Sequence, residues 1–100
     1  MKIDIPEQDL KLVSAILTAN LPATSKVFAY GSRVKGKAKQ YSDLDLAIDA
    51  GKELSLAQIT ALSTAFEDSS LAYKVDITDL QTLSKQFYEL IKHDLIELKC

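Results

Sequence analysis

Residues 43–48, Asp-Leu-Asp-Leu-Ala-Ile, put acids on one side of an extended segment and aliphatics on the other. Strand side chains alternate between faces, so Leu44, Leu46 and Ile48 turn to a core while Asp43 and Asp45 turn away from it. Upstream, Lys26-Val27-Phe28-Ala29-Tyr30 is short, apolar and β-rich, and Gly31 closes it, which predicts a second, buried strand. Ten residues, Arg33 to Ser42, separate Gly31-Ser32 from Asp43. Two such strands need helices laid against them to cover their apolar sides.

The remaining chain supplies those helices. Leu10, Val13, Ile16 and Leu17 follow the helical period over residues 7–20, after Pro6 and before Asn20 and Pro22. Leu56, Ile59, Leu62 and Phe66 repeat it between Leu54 and Phe66, following a turn at Asp49-Ala50-Gly51-Lys52. Tyr73 to Thr78 alternates again, with Val75 and Ile77 apolar and Asp76 opposite. Leu83 to Leu98 reads as a last helix with Phe87, Leu90, Ile91, Leu95 and Leu98 on its apolar side. The order is helix, strand, loop, strand, helix, strand, helix. That is an α/β (α+β) layer arrangement, a small mixed sheet of about three strands flanked by helices.

One hundred residues, 47% hydrophobic and 26% charged, suit one small globular domain over 1–100. No apolar run approaches the ~20 residues of a membrane span, and the N-terminus lacks the apolar stretch of a secretory signal. A single cysteine, Cys100, excludes an internal disulfide framework and fits a reducing cytoplasm. The net charge of −2 argues against a broad nucleic-acid surface. Without Asp43, Asp45 and Asp76 the balance would be +1, so the acidity concentrates where a cation would use it.

Carboxylates two apart in a strand, roughly 6–7 Å between residues, can converge on a hard cation such as Mg²⁺. Alone, an Asp-x-Asp also describes a solvated strand face. Gly31 permits a close backbone approach to a phosphate, and Ser32 can cap a short helical turn whose free N–H groups face an anion. Alone, that pair also describes a strand-ending turn. The loop lysines Lys35, Lys37 and Lys39 read as solvated. Asp76, with the parity of a solvent-side residue on a later strand, brings a third carboxylate to the same sheet face, about 4.8 Å away if its strand pairs with 43–48. Three acids on one face suit a two-metal site for phosphoryl chemistry, with Asp76 placed to accept or orient the proton of an attacking hydroxyl.

Together, Gly31-Ser32, ten residues, Asp43-x-Asp45 and a later Asp76 resemble the signature of the nucleotidyltransferase superfamily that shares the fold of DNA polymerase beta. Within it, Tyr30-Gly-Ser-Arg-Val-Lys-Gly36, Tyr41-Ser-Asp-Leu-Asp-Leu-Ala47 and Val75-Asp-Ile-Thr-Asp-Leu80 look like the minimal nucleotidyltransferase (MNT) proteins. The resemblance implies a polymerase beta-like fold, with Gly31 and Ser32 on the nucleotide triphosphate and Asp43, Asp45 and Asp76 as catalytic carboxylates and ligands of two Mg²⁺ ions. Arg33 is implied as a phosphate contact or the partner of an acid, and Ser42 as a cap at the strand entry or a member of the metal shell.

The catalytic core uses the whole length, so the acceptor is expected on another chain. MNT proteins are typically paired with HEPN-domain proteins, and some are antitoxins that transfer AMP from ATP to a tyrosine of a HEPN ribonuclease toxin. A hetero-oligomer of this kind is the leading expectation. The alternatives are a non-catalytic module that occludes its partner and, lower, a nucleotidyltransferase for small molecules of the aminoglycoside type. His93, Tyr30, Tyr41, Tyr73 and Tyr88 read as structural or packing residues, and Asp79, out of parity with Asp76, as a turn residue.

Overall fold

The computed structural model describes residues 3–36, 38–39 and 42–98; Lys37, Tyr41 and Cys100 lie outside the described residues. Helix α1 (Glu7–Asn20) leads to strands β1 (Lys26–Tyr30) and β2 (Leu44–Asp49). Helix α2 (Leu56–Glu67), strand β3 (Val75–Asp79), helix α3 (Lys85–Ile91) and strand β4 (Ile96–Leu98) follow. The sheet order is β3-β2-β1-β4. β1 is antiparallel to both β2 and β4, and β2 runs parallel to β3 through the α2 crossover. The fold is the expected mixed sheet flanked by helices, with four strands rather than three.

Alternation decides which face each strand buries. Val27, Ala29, Leu44, Leu46 and Ile48 join Val13 and Leu17 of α1 and Leu62 and Phe66 of α2 in the main core, with Val75 and Ile77 packed against it. Each fully buried aliphatic of this set contributes about 1.5–3 kcal/mol. The opposite face carries a smaller cluster of Tyr30, Ala47 and Ile91 beneath α3. Helix α2 starts at Leu56 rather than Leu54 because Ser55 forms a capping box: its hydroxyl accepts from Gln58 N–H while the Gln58 side chain accepts from Ser55 N–H.

The expected helix over Leu83–Leu98 is corrected. It stops at Ile91, a turn closes with Asp94 N–H donating to Ile91 O, and Ile96–Leu98 becomes a fourth strand. The apolar residues at 95, 96 and 98 satisfy a helical spacing and a strand alternation alike. What decides is the second edge of β1, which three strands would leave with unpaired N–H and C=O groups. β4 pairs it, with Val27 opposite Leu98 and Ala29 opposite Ile96. No helix among the described residues is long and apolar enough to cross a membrane.

Candidate active site

Register assembles the site on the α3 face. Tyr30 of β1 is opposite Asp45 of β2, and Asp45 is opposite Asp76 of β3, so the three form a row across the sheet. Asp43 stands exposed just before β2. The carboxyl of Asp45 is pushed above the usual carboxylate range, first by burial and then by the charges of Asp76 and Asp43. Those two causes mean that Asp45 sits among like charges with too little water to screen them.

Gly31 and Asp45 touch directly. Gly31 has φ +83°, and a Cβ there would overlap Asp45 Oδ2 and come within 3.3 Å of its Cγ. The Gly31 carbonyl accepts from both Val34 and Lys35 N–H, forming one helical turn in which Gly31, rather than Ser32, holds the capping position. Ser32 is the next residue of that turn, half-buried.

Arg33 sits elsewhere. It is 5% exposed, its Nε donates to Ser42 O at 2.9 Å and its Nη1 to Asp4 O at 2.8 Å. Asp4 N–H returns a bond to the Arg33 carbonyl at 2.6 Å. The guanidinium lies 3.9 Å from the centre of the Tyr73 ring. In the structure these contacts fasten: Arg33 clasps the Gly31–Ser42 loop to the N-terminal segment and the approach to β3. Ser42 caps the same loop, its hydroxyl accepting from Lys39 N–H at 2.8 Å. Tyr73 donates to Asp9 Oδ2 at 3.0 Å, and its phenol is pushed up to about 12, mainly by burial and then by the hydrogen bond and charge of Asp9.

Sequence reasoning missed a strut beside the carboxylates. The Tyr30 hydroxyl and Thr78 Oγ1 are 2.9 Å apart, although strand β2 lies between their backbones. The Tyr30 ring reaches β3 past Ala47, and Phe87 of α3 meets it edge-on at 6.2 Å. Burial raises the Tyr30 phenol, the Thr78 bond partly offsets this, and the charges of Asp45 and Asp76 add to the rise. The shared parity of Asp76 and Thr78 was the available signal. Asp79, of the other parity, accepts from Leu54 N–H at 2.8 Å and from Gln81 N–H, and so holds the β2–α2 loop and the turn after β3, as expected of a turn residue.

The donor set at Asp43, Asp45 and Asp76 is all hard oxygen and carries mutual repulsion that a divalent cation relieves, so it fits magnesium in kind. Among the described residues no group of three or more His, Cys, Asp or Glu side chains is gathered tightly enough to hold a metal. Asp76 Oδ1 instead lies 3.5 Å from Lys74 Nζ.

Comparison with known proteins adds the following. The sequence profile of the family described as "Polymerase beta, Nucleotidyltransferase" matches residues 11–99. The probable protein adenylyltransferase MntA of Haemophilus influenzae is 44% identical over 91 residues, covering 91% of this chain and 79% of that protein. A crystal structure of a toxin–antitoxin with AMP-PNP superposes with a TM-score of 0.77 at 23% identity, over 91% of this chain and 73% of the matched one. The tri-AMPylated Shewanella oneidensis HEPN toxin in complex with MNT antitoxin gives 0.71 at 19% identity, over 93% and 71%. At these identities the two structures speak for the fold.

Proposed function

Because the chain belongs to the polymerase beta nucleotidyltransferase family, we propose that it is a protein adenylyltransferase that moves AMP from ATP to a tyrosine hydroxyl of a HEPN ribonuclease toxin. It is thereby the antitoxin of the pair, acting in the cytoplasm where ATP is at hand. The relatives support this: one is a probable protein adenylyltransferase, and the structural neighbours include a toxin–antitoxin with AMP-PNP and an AMPylated HEPN toxin with its MNT antitoxin. The observation that carries the reading is the contact of Gly31 with Asp45, with Asp76 in register beside Asp45.

In this reading the Gly31–Lys35 turn offers backbone N–H groups to the triphosphate, and Ser32 adds a hydroxyl. Asp43, Asp45 and Asp76 would hold magnesium, two ions in this reading, which when bound would supply the positive charge that offsets the triphosphate and the charge developing at the reacting oxygens. Asp76 orients the acceptor hydroxyl and takes its proton. The tyrosine oxygen bonds to the α-phosphorus in line with the departing oxygen, the bond to the β-phosphate breaks, and pyrophosphate leaves. Ser42 and Arg33 act at one remove by holding the loop that carries the turn.

The test is to mix the protein, its HEPN partner and Mg-ATP labelled at the α-phosphate. Label should pass to the partner, and Asp43→Asn or Asp45→Asn should abolish transfer; no transfer by the intact site overturns the reading. One observation favours a second reading, occlusion without catalysis: α3 exposes Phe87, Tyr88 and Leu90, the last 78% exposed. Under occlusion, the Asp43→Asn/Asp45→Asn protein still protects cells from the toxin; under transfer, protection is lost.

A further inference from the structure

Among the described residues, Lys74 is the cation that pairs with the carboxylate row, at Asp76. Its Nζ lies 3.5 Å from Asp76 Oδ1, with the lysine side chain 73% and the aspartate 43% exposed. Its backbone is fixed where it matters, because Leu44 N–H, next to Asp43, donates to Lys74 O at 2.9 Å. The other cations of the glycine turn are engaged elsewhere: Arg33 is buried against loop carbonyls and Tyr73, and Lys35 pairs with Asp94 at 3.3 Å. Lys74 and Asp76 both line an open groove of about 340 Å³ that runs between α2 and the outer edge of β3.

An exposed ion pair of this kind is weak and easily exchanged. A divalent cation competes for the same carboxylate oxygen more strongly than a single ammonium does, because it carries twice the charge and binds the oxygen directly. The ammonium so displaced, on a flexible four-carbon stem, has the reach and chemistry to bind a phosphate oxygen.

Resting on the adenylyltransferase reading above, we propose that Lys74 is a resident counter-charge: it holds Asp76 in the metal-free protein and passes to the nucleotide's phosphates when a divalent cation takes Asp76. Lys74 thus opposes binding of the bare metal and favours binding of the metal–nucleotide complex, two effects of opposite sign on one side chain. A residue that merely stabilised the fold would not separate them.

The experiment uses the full chain as wild type, Lys74→Gln and Lys74→Arg. Free Mn²⁺ is followed by electron paramagnetic resonance without nucleotide, and AMP-PNP affinity is measured with Mg²⁺ present. Thermal melts confirm that all three proteins are folded, as substitution of a surface lysine allows. Lys74→Gln should bind Mn²⁺ severalfold more tightly and AMP-PNP about tenfold more weakly, the size of one lost charge-assisted contact. Lys74→Arg should restore the nucleotide affinity. If Lys74→Gln changes neither affinity, only one, or both in the same direction, the proposal is overturned. Label transfer separates this failure from that of its premise. Wild type that labels its partner while Lys74→Gln binds both ligands unchanged defeats this proposal alone, whereas wild type that labels nothing defeats the premise with it.

Discussion

Gly31 and Asp45 share a space that has no room for a β-carbon: one built on Gly31 would overlap the Asp45 carboxylate. The left-handed φ of +83° makes the same demand from the backbone side. Gly31→Ala should therefore destabilise the protein by about 1–2 kcal/mol through backbone strain alone. Displacing the carboxylate should lower label transfer by ~10²-fold or more. Urea denaturation and initial-rate assays measure the two effects separately, and a fully active alanine variant would refute the coupling.

Asp45 carries the next prediction, through its raised carboxyl. The folded protein holds that proton more tightly than the unfolded chain. Stability from this group is therefore fully present below the ordinary carboxylate range and is lost as pH rises through the raised folded value. At neutral pH the ionised Asp45 works against the fold. Asp45→Asn should raise the melting temperature of the metal-free protein at pH 7 and leave it nearly unchanged at pH 3. Mg²⁺ should raise the melting temperature of the wild type and do little for Asp45→Asn. Scanning calorimetry in the presence of chelator or Mg²⁺ checks all of these.

Arg33 should tolerate no substitution, lysine included. Its planar fork serves the carbonyls of Ser42 and Asp4 at once while its face lies on Tyr73. An ammonium cannot reproduce that set, and carbonyls left without a partner cost about 1–3 kcal/mol. Arg33→Lys should lose stability of that order in urea. The loop it fastens carries the glycine turn, so KM for ATP should rise more than kcat falls.

Tyr73 gives an alkaline signature. Its phenol, pushed up to about 12, keeps its proton beyond the ordinary value of 10.0. The folded state binds the proton more tightly than the unfolded one, so its contribution is complete below pH 10 and disappears as pH passes about 12. A spectrophotometric titration should show Tyr73 ionising late, together with unfolding. In Asp9→Asn, which removes the carboxylate charge beside the phenol, it should ionise earlier.

Much of this protein was open to reading from its residues. Alternation in 43–48 and 73–78, with the apolar period of 7–20 and 54–66, required helices on a sheet and put Asp45 and Asp76 on one face. Those are local properties, because the side-chain period of a strand or helix depends on the backbone alone. The glycine after Tyr30 was likewise legible as a position of special backbone freedom, although its reason was not.

The tertiary structure decided the rest. Residues 96–98 became a strand because the open edge of β1 was there to pair, and no pattern within residues 83–98 contains that edge. Arg33 turned into the fold because Tyr73 and the Asp4 carbonyl, distant in sequence, converge on it. Tyr30 reaches Thr78 across β2 because the residue between them is as small as Ala47. Gly31 meets Asp45 because β1 and β2 pair in a register that sets Tyr30, the residue before the glycine, opposite Asp45. Spacing along the chain names the chemistry that could gather, but only the register of paired strands sets which of those groups meet.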